Sequence, residues 1–131
     1  MTLDAQDGGL SLAGQAHAIL REGVAAVQAP RLLNASALAT FATGDAPCYL
    51  LAVGKAAQAM AGCAQALLAQ AGVSLTRGLI VVPQGVGSSP LPADNPAPYS
   101  PAEVLEAGHP IPDAAGLAAA ERVLALAHRA G

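Results

Sequence analysis

Two short apolar runs constrain this chain more than anything else in it. Cys48-Tyr49-Leu50-Leu51-Ala52-Val53 and Gly78-Leu79-Ile80-Val81-Val82 contain no charged residue and no polar alternation. A strand with one wet face alternates apolar and polar residues, whereas a strand buried on both faces reads as a continuous apolar run. Such strands belong to parallel sheets with helices on each side. The segment between the runs has helical character: Met60, Ala64, Leu67, Leu68 and Ala71 recur at helical spacing, and Gly72 stands where a helix C′ glycine belongs. Strand, helix, strand is the unit from which α/β folds are built.

The rest of the chain extends this pattern. Residues 1–10 read as a disordered tail. Ser11 is an N-cap for a helix running to about Val27, with Leu12, Ala16, Ile19, Leu20 and Val27 near one face. Pro30 opens a second short helix with Leu32, Leu33 and Leu38 inward. Gly44-Asp45-Ala46-Pro47 is a turn signal before the first strand. Gly54 ends that strand and Lys55 opens the next helix. Pro83 stops the second strand, and residues 84–101 form a long proline-rich loop containing Ser88-Ser89. Val104–Ala107 is a third, shorter strand. Gly108-His109-Pro110-Ile111-Pro112 is a stiff connector, and Asp113 is the N-cap of a last helix reaching about Arg129, with Leu117, Ala120, Val123, Leu124 and Ala127 as its apolar stripe. The expected architecture is a Rossmann-like α/β three-layer sandwich with a mostly parallel sheet, incomplete in this chain.

Composition excludes several functions. The net charge is −3 and only six residues are Lys or Arg, so phosphate neutralisation along a nucleic acid has no basis. The N-terminus is acidic where a secretory signal is basic, and no strictly apolar run approaches the ~18 residues of a membrane helix; these features point to a cytoplasmic protein without membrane contact. Cys48 and Cys63 read as buried reduced thiols rather than a disulfide framework. The spacing of His, Cys, Asp and Glu matches no metal site, and no Ser–His–Asp set assembles.

Lys55 is the only lysine and lies between a buried strand and a helix. A cation there opposes the positive end of the helix dipole. Yet a lysine beside free N–H groups at a helix start also makes an anion site, and strand ends of open α/β sheets are where ligands bind. A solvated lysine at a helix end is the plain alternative. The P-loop pattern is absent, because Tyr49 stands at the first glycine position and Ala56 replaces the hydroxyl residue. The dinucleotide fingerprint is absent around Gly54 too. His109, presented between a strand and a helix, is either a ligand-facing imidazole or part of a rigid turn.

The string Leu51-Ala52-Val53-Gly54-Lys55-Ala56-Ala57, with Met60-Ala61 one turn on, resembles the first strand–helix unit of the glycerate 2-kinase family that carries the MOFRL C-terminal domain. Arg77-Gly78-Leu79-Ile80-Val81-Val82 continues the resemblance. It is strongest at Glu106-Ala107-Gly108-His109-Pro110-Ile111-Pro112-Asp113, followed by Ala115-Gly116-Leu117. The resemblance implies ATP-dependent phosphorylation of D-glycerate to 2-phosphoglycerate in a cleft between two α/β lobes, with ATP and Mg²⁺ required by the full-length enzyme. It implies that Lys55 is the catalytic lysine and that Gly54, Lys55 and His109 bind substrate. Members of the family are much longer, so residues 11–131 correspond to the N-terminal portion of the N-terminal domain. The phosphate loop and second lobe lie outside that portion, which implies a piece inactive alone, with the remainder of the enzyme or a second chain as partner. Two other readings stand beside it: a hydroxypyruvate reductase-type oxidoreductase, and a non-catalytic remnant that binds a ligand or associates with another chain.

Overall fold

A computed structural model describes residues 11–33, 38, 46–86 and 99–131. In chain order these form α1 (Leu12–Ala26), α2 (Ala29–Leu32), β1 (Cys48–Val53), α3 (Ala57–Gln70), β2 (Leu75–Pro83), β3 (Ala102–Ala107) and α4 (Ala114–Ala130). The three strands make one parallel sheet in the order β1-β2-β3. Leu51 stands opposite Leu79 and Val53 opposite Val81, while Gly78 pairs with Ala102 and Pro83 with Ala107. The fold is therefore a mixed α/β open sheet flanked by helices, consistent with an incomplete Rossmann-like sandwich.

Side chains alternate across a strand, so successive residues of β2 serve opposite faces. Ile80 and Val82 pack with Ala57 and Ala61 of α3, against Leu50, Ala52, Ala102 and Val104. Alanines on α3 let the helix lie close to the sheet, and Ile80 and Val82 are the largest fully buried side chains. On the other face Leu79 is buried, as are Ala119 and Leu126 of α4. Gln65 is the one buried polar residue of the described core. Its Nε2 donates to the Tyr99 carbonyl at 3.0 Å, and its Oε1 has no partner among the described residues.

Element boundaries follow local signals. The Ser11 hydroxyl accepts from Gly14 N at 3.2 Å, as an N-cap does. Pro30 sits in the first turn of α2. Beyond α3, Gly72 adopts φ +72°, its N–H donates to Ala69, and the N–H of Val73 donates to Leu68. That is a Schellman ending, which needs the left-handed conformation glycine adopts without a Cβ penalty. β2 is longer than its apolar run, because Leu75, Thr76 and Arg77 join the ladder. β3 likewise begins at Ala102, and α3 begins at Ala57, leaving Lys55 in the turn before it.

Burial departs from expectation in four places. The apolar run of β1 is well covered on one face only: on the other Leu51 is 40% and Val53 69% exposed, because α4 packs chiefly over β3 and touches β1 only slightly. The stripe expected on α4 is rotated. Leu117 and Leu124 are exposed while Ala119 and Leu126 are buried, and Arg122, between the two buried positions, pairs with Glu103 of β3. No residue of α1 is buried, and Leu12, Ile19, Leu20 and Val27 are exposed, as is Leu32 of α2. Cys48 and Cys63 are free but only partly buried. No described helix is long and apolar enough to cross a membrane. The expected tail, the Gly44-Asp45 part of the turn and Ser88-Ser89 lie outside the described residues.

Candidate functional site

All three strands run the same way, so their C-terminal ends meet at one edge of the sheet. At this edge β1 delivers Gly54-Lys55, β2 delivers Gln84-Gly85 and β3 delivers Gly108-His109. Two strand spacings, about 10 Å, separate the backbones of β1 and β3.

Gly54 has φ +114°, a conformation that disfavours any side chain. Its N–H donates to Val81 at 2.9 Å, extending the ladder by one rung, and its carbonyl accepts from Ala57 at 3.1 Å. The chain thus leaves the sheet and enters α3 within three residues, and Lys55 projects exposed from that bend. The position before α3 is Ala56, which offers no side-chain hydrogen bond, and the first turn contains no acidic residue. The N–H groups that open a helix bear partial positive charge and find no side-chain acceptor here. Lysine and helix end therefore present positive charge to the same space, a combination suited to carboxylate or phosphate.

Between Lys55 and His109 lies a turn that sequence reasoning left inside a long loop. Gln84 N donates to Ala107 at 2.9 Å, Val86 N donates to Pro83 at 3.1 Å, and Gly85 has φ +81°. The Pro83-Gln84-Gly85 string is the local signal for it.

The third component is the Gly108–Asp113 connector. The Asp113 Oδ1 accepts from Gly108 N at 3.0 Å and from Gly116 N at 2.7 Å. These backbone donors, Gly108 first, hold the Asp113 carboxyl below its ordinary range. A Cβ on Gly108 would lie 2.7 Å from the Ile111 carbonyl and 2.8 Å from Asp113 Cγ, so only glycine fits. His109 is exposed.

Gly54, Lys55 and His109 therefore share one sheet edge. Asp113 was legible only as a helix cap, and its second bond was not. Among the described residues no group of three His, Cys, Asp or Glu is placed to hold a metal ion. A depression of about 680 Å³ lies elsewhere, among Gln65, Leu68, Val73, Leu75 and Pro101, and none of the described residues lining it is titratable.

A family model described as a domain of unknown function, DUF4147, matches residues 15–131. The chain belongs to that family. A comparison with curated proteins finds no match. Among solved structures the chain is similar to the crystal structure of a glycerate kinase from Thermotoga maritima, with 30% identity and a TM-score of 0.62. The similarity covers 85% of this chain but 23% of that enzyme, so this member of the DUF4147 family spans about a quarter of the length of the kinase it resembles.

Proposed function

We propose that this chain is the N-terminal α/β portion of a cytoplasmic glycerate 2-kinase, which transfers the γ-phosphoryl group of ATP to the 2-hydroxyl of D-glycerate. The observation that carries the proposal is the convergence of Lys55, at an uncapped helix start, with the Gly108-His109 end of β3 at one sheet edge. The similarity to a glycerate kinase supports it.

In this reading Lys55 is the catalytic lysine. Its ammonium and the first N–H groups of α3 hold the glycerate carboxylate or the charge of the phosphoryl group in transfer. Phosphoryl transfer depends mainly on positioning and charge stabilisation, which a fixed cation and helix end supply. Gly54 brings the backbone close to the substrate, and His109 lines the opposite side. The described residues offer neither a phosphate loop nor a carboxylate cluster for Mg²⁺, so ATP and Mg²⁺ are assigned to the remainder of the enzyme. That remainder is the expected partner of this chain, and the open face of β1 at Leu51 and Val53 is consistent with one.

The test is ADP release with D-glycerate by the full enzyme carrying this chain, alongside NADH oxidation with hydroxypyruvate. Glycerate-dependent ADP release supports the kinase. Turnover of NADH with no such release overturns it in favour of a reductase.

A further inference from the structure

We infer that Asp113 is a positioning residue: its carboxylate ties the end of β3 to the first turn of α4 and thereby holds His109 at the edge where Lys55 emerges. The inference deepens the kinase reading and rests on it for the meaning of that edge.

An ordinary helix cap accepts from the second or third N–H inside the helix. Asp113 does so through Gly116, but the same oxygen also takes the N–H of Gly108, five residues back. That second bond contributes nothing to starting α4. It closes residues 108–113 into a loop in which His109 directly follows the tied residue Gly108. Among the described residues, 109–112 have no hydrogen-bond partner, and Ile111 is 79% exposed, so little else there anchors the segment. Pro110 and Pro112 stiffen the path without pinning it to the fold. Gly108 is shaped for the tie, since a Cβ there would collide with Asp113 Cγ and the Ile111 carbonyl. The carboxylate is the anchor that converts a stiff connector into a fixed one.

Two substitutions separate this role from helix capping. Asp113→Asn keeps an oxygen able to accept both bonds. Asp113→Ser caps helices well, but its shorter hydroxyl cannot span to both Gly108 and Gly116. In the full enzyme, Asp113→Ser is expected to lower kcat/KM for D-glycerate by about tenfold to a hundredfold, the scale of a misplaced group, with Asp113→Asn restoring most of it. On a His109→Ala background, Asp113→Ser is expected to add nothing, because its effect passes through His109. A full additional loss on that background overturns the inference, as does wild-type kcat/KM in Asp113→Ser.

NMR of the 131-residue chain keeps the test independent of the kinase reading. Asp113→Ser should move the Gly108 amide and the His109 ring signals while the Gly116 amide keeps its hydrogen-bonded shift. If His109→Ala leaves activity unchanged, the place of His109 in the site fails and these signals alone decide: displaced Gly108 and His109 signals support the tie, and unmoved ones overturn it.

Discussion

Gly78 of β2 stands directly opposite Ala102 of β3, and a Cβ built on Gly78 would lie 2.7 Å from the Ala102 Cβ and 3.1 Å from the Leu50 Cβ. The central strand here passes between two neighbours that leave no room for a methyl group. Gly78→Ala is therefore expected to destabilise the chain by about 1–3 kcal/mol, as overpacking does. Urea denaturation of both proteins measures it. A gain in stability, the usual result of replacing a strand glycine in open space, would show that the strands can part.

The two faces of the sheet should respond unequally to truncation. Ile80 is fully buried under α3, so Ile80→Ala is expected to cost about 2–5 kcal/mol. Val53 is 69% exposed, and Val53→Ala should change the stability of this chain by no more than about 0.5 kcal/mol. Comparable losses from both substitutions would mean that the α4 side of β1 is covered in solution.

α1 buries none of its residues, although Ser11 caps it. A 15-residue helix without tertiary packing is marginal in water. Its amides should exchange with solvent far faster than those of β2. Ser11→Ala should weaken the helix by about 0.5–2 kcal/mol while leaving the global unfolding midpoint unchanged. Protection in α1 equal to that in β2 would contradict this.

Acid should destabilise the fold through two carboxylates. The Gly108 and Gly116 amides hold Asp113 below its ordinary range, and the Arg122 guanidinium does the same for Glu103 through bonds of 2.8 and 2.5 Å. A depressed carboxyl contributes stability that is fully present above its unfolded pKa, about 3.9 for Asp and 4.3 for Glu. The contribution is lost as pH falls through the lower folded value. Stability should be level near neutrality with respect to these groups and decline below about pH 4. Asp113→Asn should flatten part of that decline, and an unchanged acid limb would remove Asp113 from the account.

Lys55→Met in the full enzyme should lower kcat for glycerate phosphorylation by about 10²–10³-fold, the loss expected when a preorganised charge is removed from a transition state. Lys55→Arg should recover only part, since a planar guanidinium does not place its charge where an ammonium does. Unchanged kcat in Lys55→Met would reassign Lys55 to the solvated surface.

Much of this chain was legible from local signals, because the relevant forces act over one turn or one strand. The Ser11 and Asp113 caps, the Gly72 helix ending and the apolar runs of β1 and β2 are set by side chains within a few residues of each other. Parallel pairing followed from the absence of polar alternation. The same reasoning placed Lys55, Gly54 and His109 at strand ends. It could not show that β2 lies between β1 and β3 at that edge, since strand order depends on pairing between segments far apart in the chain.

Only the tertiary structure decided which faces are covered. Apolar character states that a residue is suited to burial, not that a neighbour arrives to bury it. Leu51 and Val53 carry the pattern of a doubly buried strand, yet α4 crosses mainly over β3 and leaves them in water. Leu117 and Leu124 outrank Ala119 in hydrophobicity, but Ala119 is the residue buried against the sheet. Hydrophobicity along the helix does not report which small side chains fit against the sheet, nor that Arg122 of the covered face pairs with Glu103 of β3. The bond from Gly108 to Asp113 belongs to the same class: a cap was written in the local sequence, and its second partner appeared only when the loop closed on itself.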